Sequence, residues 1–328
     1  MTTERGVPSA SSLAFHMEPL PDYYFQLRAL AAGSAPVPER HAEAVAPLLA
    51  LQEHLGSFGG WGWLDTRFLT ATTPQEVLPW ARALEDPVAL RGGREVSLRG
   101  TILALCEALG SGFDAFLEDE WPARRVRLEA TLEELRHAFV PGHRAALADL
   151  MAALAITDPG LAAPVFLVTE TNAPGAYTFR LGGGGGAVVV ATAGGPGTTL
   201  FETLLHEAVH VLDVATEGDG DALTELRRLL EERGVSRRDR LWRDAPHVLM
   251  FLQAGATVRS IYDRGHVDYG ETTGLYERLG RTAEVARPVR AAYLRGERGR
   301  SQALREIAIS LTIAAEPEPP AGSAAPPL

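Results

Sequence analysis

The sequence predicts an α+β fold that is mainly helical, with a small mixed or antiparallel sheet ahead of one central helix. The 328 residues are 46% hydrophobic and 22% charged, an ordinary composition for a globular chain of one large or two modest domains. Apolar residues recur at helical spacing before residue 160, whereas short β-rich runs bounded by Gly and Pro follow it. We therefore expect a helical region at residues 13–160 and a second region, combining the sheet with further helices, at residues 161–314.

Five segments of the first region have the apolar periodicity of helices. They are residues 39–55, 73–84, 97–118, 121–138 and 144–156. The two ends of the chain, residues 1–12 and 315–328, are predicted to be disordered, since the C-terminal tail in particular consists mostly of prolines and small residues.

After residue 159 the sequence changes to short runs typical of β-strands, at residues 164–170, 176–181 and 187–191. Gly182 to Gly186 form an unbroken run of glycines between the last two, which favours a mobile hairpin connection and leaves open whether this loop is a lid. In a dinucleotide-binding fold the glycines follow a strand and open a helix, but these precede a strand. A nucleotide site is therefore not expected here.

The next segment, residues 199–216, is predicted to be a buried helix with the motif H-E-x-x-H at His206, Glu207 and His210. It opens with a capping-box pattern that ends at Glu202. Because four residues make about one helical turn, both imidazoles project from one face and can share a metal ion. Glu207 is placed to reach a water on that metal, and zinc lowers the pKa of such a water toward about 7. The motif therefore predicts two zinc ligands and a general base.

This motif, placed straight after a short strand, resembles that of the zincin metallopeptidases, over at most residues 164–269. The resemblance implies Zn²⁺ held by the two motif histidines, the motif glutamate as general base, hydrolysis of a peptide bond, and an edge strand ahead of the helix that can pair with an extended substrate. Two zincin groups differ from this chain at the third ligand: metzincins have His where this chain has Thr216, and gluzincins commonly have Glu where it has Leu229.

A catalytic zinc usually has three protein ligands, so a third ligand is expected elsewhere. The candidates are Asp213, Glu217, Glu225, Glu231, Asp244, His247 and His266. We favour His247, because it lies at the start of an apolar helix predicted at residues 246–261, where a neutral histidine needs a partner. Residues 247–259 also resemble a segment downstream of H-E-x-x-H in uncharacterised bacterial zincin-like proteins. Glu225 and Glu231 remain the alternatives.

A hydrolase of this type also needs a donor to the oxyanion of its tetrahedral intermediate. Tyr269, Tyr262 and His266 lie at or just beyond the end of the His247 helix and are the candidates. Tyr269 is the first choice, because its neighbours Asp268 and Gly270 are typical of an accessible loop.

Composition excludes several other kinds of chemistry. A single cysteine, Cys106, excludes an intramolecular disulfide and a cysteine zinc cage. All 31 basic residues are Arg, so a Walker A loop, a Schiff base and a Ser/Lys dyad are excluded. The formal net charge of −11 argues against nucleic-acid binding. No segment has the pattern of a membrane span or a signal peptide, so a cytoplasmic protein is expected.

The sequence therefore predicts a zinc-dependent metallohydrolase, most simply a peptidase that cleaves amide bonds by Glu207-assisted attack of zinc-bound water. The alternatives are a zinc hydrolase of a non-peptide amide or ester, and a non-catalytic binding protein on the same scaffold. The expected substrate is a peptide or a small amide, and the sequence leaves cleavage specificity and oligomeric state open.

Overall fold

The computed structural model describes residues 10–56, 60–90, 94–172, 175–181, 186–192, 197–215 and 220–313. Within these ranges helices dominate, and a four-stranded mixed sheet is accompanied by a separate two-stranded antiparallel ribbon, which confirms the α+β class. The strands are β1 (Ser12–His16), β2 (Val88–Ala89), β3 (Glu95–Val96), β4 (Ala162–Val168), β5 (Ala176–Arg180) and β6 (Gly186–Ala191). The helices are α1 (Pro19–Ala31), α2 (Ala42–Leu55), α3 (Gly62–Thr70), α4 (Pro74–Ala83), α5 (Arg99–Asp119), α6 (Trp121–Glu134), α7 (Val140–Leu154), α8 (Thr198–Ala215), α9 (Ala222–Glu232), α10 (Arg240–Ile261), α11 (Tyr269–Thr272), α12 (Leu275–Leu279), α13 (Arg281–Leu294) and α14 (Arg300–Thr312).

The four-stranded sheet has the order β1-β4-β6-β5. β4 pairs in parallel with both β1 and β6, whereas β5 pairs antiparallel with β6 and forms one edge. The three strands predicted from the sequence are β4, β5 and β6, and Arg180 lies opposite Gly186 at the hairpin that the glycine run was expected to connect. Residues 182–185 of that run lie outside the described residues. No other described strand pairs with the outer side of β5.

β1 differs from the prediction that residues 1–12 are disordered. The strand begins at Ser12, and the preceding Ser11 is buried. The prediction is therefore wrong for these two residues, while residues 1–9 and the predicted C-terminal tail lie outside the described part of the chain. The cause is a remote partner, since Ser12 lies opposite Ala162 in the parallel ladder.

Each face of the sheet packs against its own hydrophobic core. One face, which includes Val165 and Val188, belongs to the core formed with α6, α7, α8 and α10. The opposite face, which includes Tyr177 and Val189, belongs to the core formed with α1 to α5. The boundary expected near residue 160 therefore does not separate the two cores, because β1, α6 and α7 precede it and yet pack with the helices that follow it.

The helices before residue 160 match the predicted segments with three main differences. α3 has no predicted counterpart, although it is a regular helix over Gly62–Thr70. α1 is missing from the prediction, because every residue from 20 to 30 is buried and the helix has no polar face to create a period. α6 and α7 follow each other through a π-helical turn, Leu135–Phe139, where the prediction leaves a gap between the two helices. Pro141 is tolerated there because it falls in the first turn of α7, where its missing N–H costs no intrahelical bond.

α5 is the one helix among the described residues with the length and apolar composition of a membrane span. Its side chains Ile102, Leu105 and Phe113 are buried in the core that also contains α1, α2 and α4. The core helix of a globular protein meets the same criteria of length and composition, and 39% of the apolar window of α5 is buried.

Candidate metal centre

Helix α8 carries the H-E-x-x-H motif and lies between the sheet and α10. Its side chains Leu204, Leu205 and Val209 are fully buried in the core. His206 and His210 are one turn apart, and their ring centroids lie 4.8 Å and 5.4 Å from that of a third histidine on α10.

That third histidine is His247. Helix α10 begins at Arg240, ahead of the predicted start at residue 246, because the Asp239 side chain accepts a hydrogen bond from the backbone of Leu241 at 2.9 Å and caps the helix. His247 consequently lies two turns inside α10 rather than at its start, on a rigid element that faces α8.

The three imidazoles converge on one point. Nε2 of His206 lies 3.0 Å from Nε2 of His247. One ring nitrogen from each of these residues and from His210 lies within 4.8 Å of the other two. Two nitrogens bound to one tetrahedral zinc, each at about 2.0–2.1 Å, would be separated by roughly 3.4 Å. The three nitrogens therefore lie close enough together to be candidate ligands of a single ion.

Burial holds these imidazoles in the neutral form. It lowers the pKa of His210 to about 3 and the pKa of His206 well below its ordinary value, and the neighbouring His247 adds to both effects. Burial also lowers the pKa of His247. The Phe251 ring covers His206 with a centroid distance of 3.7 Å. Neutral imidazoles offer free lone pairs, which is the form in which histidine binds zinc, so this donor set fits Zn²⁺.

Glu207 contacts the sheet. Its Oε2 accepts a hydrogen bond from the Thr178 hydroxyl at 2.7 Å. Burial raises the pKa of Glu207 to about 7, and the bond from Thr178 opposes the rise. Because Thr178 belongs to the edge strand β5, the sheet orients the carboxyl group in the cleft.

Tyr269 lines the same cleft as the histidines and Glu207. It is the first residue of the one-turn helix α11, not part of a loop. Its ring stacks on Phe251 with a centroid distance of 5.6 Å, and Phe251 in turn stacks on His206. Burial raises the pKa of Tyr269, so its hydroxyl is neutral and able to donate.

The other candidates named from the sequence have partners elsewhere. Tyr262 donates to the carbonyl of Phe139 at 2.9 Å, and Nε2 of His266 lies 2.6 Å from the carboxylate of Glu202. Glu217 lies outside the described residues. Each of the remaining carboxylates is ion-paired with an arginine: Asp213 with Arg227, Glu225 with Arg300, Glu231 with Arg237, and Asp244 with Arg240.

Glu202 is a residue beside the centre that sequence reasoning missed. It is fully buried on α8, where its Oε2 accepts a hydrogen bond from the backbone of Tyr269 at 2.7 Å and also contacts His266. The predicted capping box of Thr199 and Glu202 is therefore wrong. The available signal is spacing, because Glu202 precedes His206 by one turn and so shares a helix face with the motif.

The three histidines border one cleft of about 750 Å³ between α8, α10, α11 and β5, together with Glu207, Phe251 and Tyr269. Trp61 and Asp65, at the start of α3, also line it. All five residues of β5 line it, so the unpaired edge of the sheet runs along the cleft. The size is within the range of about 300–1,000 Å³ that ligand sites have.

No family model, curated protein or solved structure matches this chain. The activity of the centre is therefore inferred from its own chemistry.

Proposed function

We propose that the protein is a zinc-dependent hydrolase of the zincin type that cleaves peptide bonds. The observation that carries the proposal is the meeting of His206, His210 and His247 in one cleft with Glu207. These three imidazoles would hold a zinc ion, and three protein ligands are the number typical of catalytic rather than structural zinc sites. Zn²⁺, when bound there, polarises the scissile carbonyl and acidifies the attacking water.

Three side chains supply the remaining chemistry. Glu207 accepts the proton of the attacking water, and its hydrogen bond from Thr178 holds the carboxyl in position. Tyr269 donates to the negative charge that develops on the carbonyl oxygen. Phe251, which stacks on both His206 and Tyr269, sets the spacing between the metal ligands and this donor.

The shape of the cleft supports a peptide as the substrate. β5 is an edge strand without a described neighbour on its outer side, and it borders the cleft along its whole length. An extended peptide can add to such an edge through backbone hydrogen bonds, which brings its carbonyl groups alongside α8. A small amide or ester would fill only part of the cleft.

Zinc content tests the ligand set. Wild-type protein purified without added metal is compared by plasma mass spectrometry with His247→Ala and Glu231→Gln. We expect stoichiometric zinc in the wild type and in Glu231→Gln, and a large loss in His247→Ala. Glu231 is the matched control because its carboxylate pairs with Arg237. A wild type that takes up no zinc even when it is supplied overturns the proposal.

Turnover is then measured on a fluorogenic peptide library with zinc-loaded wild type and Glu207→Gln. Loss of the base is expected to lower kcat by about 10²–10⁴-fold with zinc retained. Hydrolysis of small amides or esters but not of peptides moves the substrate to the non-peptide class. Zinc-loaded protein that turns over neither class is a binding protein, and the hydrolase proposal fails.

The Tyr269 hydroxyl is expected to act on the transition state more than on substrate binding. Tyr269→Phe should lower kcat by about 10²–10³-fold with KM little changed. Tyr262→Phe is the matched control, because its hydroxyl donates to the Phe139 carbonyl instead. Steady-state kinetics on one cleaved peptide measure both variants, and equal losses in the two exclude the role assigned to Tyr269.

A further inference from the structure

The carboxylates that border the cleft already have partners within the protein. Among the described residues there are four of them, and each is bonded: Asp65 to Arg28, Asp213 to Arg227, Asp244 to Arg240, and Glu207 to Thr178. Three of these partners are guanidinium groups, so most of the negative charge in the cleft is neutralised by positive charge of the protein itself.

Three arginines of the cleft have no acidic partner among the residues that the structure describes. Arg180, Arg243 and Arg278 are exposed, and none lies within 4.0 Å of a carboxylate among the described residues. Arg278 donates to the backbone carbonyl of Thr273 at 2.8 Å. It lies close enough to Tyr269 for its charge to lower the pKa of that tyrosine against the larger effect of burial.

The other two arginines share a strand face or a helix face with residues of the candidate centre. Arg180 follows Thr178 by two residues on β5, so both side chains leave the same face of the strand. Arg243 precedes His247 by four residues on α10, so the two lie one turn apart on the same side of the helix. These three arginines therefore border the cleft of the histidine centre from three different elements, β5, α10 and α12.

This local charge is opposite in sign to that of the whole chain, whose formal net charge is −11. A guanidinium group pairs with a carboxylate through two parallel hydrogen bonds, which makes arginine selective for this group. A cleft with walls of low dielectric constant also strengthens the electric field that these arginines exert on an incoming ligand. The negative charge of an anionic ligand therefore complements the positive charge of this surface.

From these observations we infer that the cleft selects acidic peptides, bound extended along β5 with Asp or Glu side chains paired to Arg180, Arg243 and Arg278. The free edge of β5 indicates a peptide rather than a small anion, because an edge strand recognises an extended backbone. The inference rests on the proposed function for the place of the scissile bond, but the binding itself is measurable without turnover.

Three fluorescent peptides test the inference by anisotropy. They have equal length and differ only in carrying Glu, Gln or Arg on both sides of a central Ala-Ala bond. Zinc-loaded Glu207→Gln and zinc-free wild type are both titrated, because a metal ion attracts carboxylates by itself and only the zinc-free protein isolates the arginines. In both proteins we expect the Glu peptide to bind about tenfold more tightly than the Gln peptide, with the Arg peptide weakest. The preference should shrink between about 0.05 and 0.5 M salt.

Substitutions locate the source of the preference. The affinity ratio between the Glu and the Gln peptide should fall by about threefold to tenfold in each of Arg180→Gln, Arg243→Gln and Arg278→Gln. Arg305→Gln is the matched control, since Arg305 is exposed on α14, does not border the cleft, and has no carboxylate partner among the described residues. We expect no change in this variant.

Equal affinity for the Glu and Gln peptides, no binding of the Glu peptide, or an equal effect of Arg305→Gln overturns the inference. Charge-selective binding without cleavage of any peptide is a different result. It contradicts the proposed function and leaves the charge selectivity of the cleft in place.

Discussion

The carboxyl group of Glu202 is buried next to the candidate centre and links α8 to the segment that carries Tyr269. Oε2 accepts the Tyr269 N–H and lies 2.6 Å from Nε2 of His266, while Oε1 has no hydrogen-bond partner among the described residues. Burial raises the pKa of Glu202 to about 8; the Tyr269 bond and Arg259 oppose this rise, and Asp268 adds to it. The neutral carboxyl is therefore favoured up to about neutral pH.

This raised pKa makes the stability of the fold depend on pH. Between the ordinary value of 4.5 and the folded value of about 8, the folded chain holds the proton more tightly than the unfolded chain. The stability from protonated Glu202 is therefore complete below the ordinary pKa and is lost as the pH rises through the folded pKa. Glu202→Gln cannot ionise and keeps an acceptor for Tyr269. We expect the unfolding free energy of the wild type, minus that of Glu202→Gln, to fall by roughly 1 kcal/mol per pH unit across this interval.

Urea unfolding followed by circular dichroism measures this difference, with a chelator present so that metal binding adds no pH dependence of its own. A difference that stays constant between about pH 5 and pH 8 contradicts the assignment of a neutral buried carboxyl.

The candidate site could be predicted from the sequence only where the spacing of its residues is compatible with a single structural interpretation. H-E-x-x-H on a helix places His206 and His210 on one face, and His247 followed from a histidine in an apolar stripe. The position of Glu202 has two interpretations. It lies one turn before His206 on the same helix face, but a Glu three residues after a Thr at a helix start also indicates a capping box. Only its contact with His266, 64 residues away, distinguishes the two.

Among helices and strands, those with a local pattern were predictable and those defined by remote contacts were not. β4, β5 and β6 are short β-rich runs between turn residues, and α2, α4 and α5 have apolar periodicity. β1 is held by its parallel pairing with the strand that begins at Ala162, a contact that the local sequence does not reveal. α1 is buried on every side, so its sequence has no alternation of apolar and polar residues. The start of α10 depends on the cap at Asp239, which the apolar pattern does not reveal.

Helix α10 passes closest to the neighbourhood of Glu202 at Gly255. A Cβ atom there would lie 2.7 Å from Cγ of Asp268 and 3.3 Å from Oε1 of Glu202. Asp268 is nearly buried, pairs with Arg259 and directly precedes Tyr269, so its displacement disturbs the segment that holds the tyrosine. Gly255→Ala is expected to destabilise the fold by about 1–3 kcal/mol, the usual cost of overpacking.

Gly100→Ala is the matched control for this substitution. Gly100 is also helical, but a Cβ atom there meets nothing within 4 Å. It should gain up to about 1 kcal/mol from the better helix propensity of alanine. Urea unfolding of both variants measures the difference, and equal stability of the two shows that α10 has room at Gly255.

Across the whole molecule, the sheet separates two cores, and the candidate centre depends on parts of the chain that lie on both sides of residue 160. α8 and α10 carry the three histidines and share their core with α6 and α7. Phe139, in the turn between those two helices, packs on Phe201 of α8 with a centroid distance of 5.1 Å. The helices ahead of residue 160 therefore support α8, the helix of the candidate centre, directly.

A cut at residue 160 is expected to abolish cooperative folding of the second half. Residues 161–313 alone lack β1, α6 and α7, so α8 and one face of the sheet lose part of their apolar cover, and calorimetry should show no cooperative transition. Co-expression with residues 10–160 should restore the transition of the intact chain, because the buried contacts can form again across the cut. Cooperative unfolding of residues 161–313 by themselves would instead mean that the centre belongs to an independent domain, and that the contacts of α6 and α7 with α8 are only those of neighbouring domains.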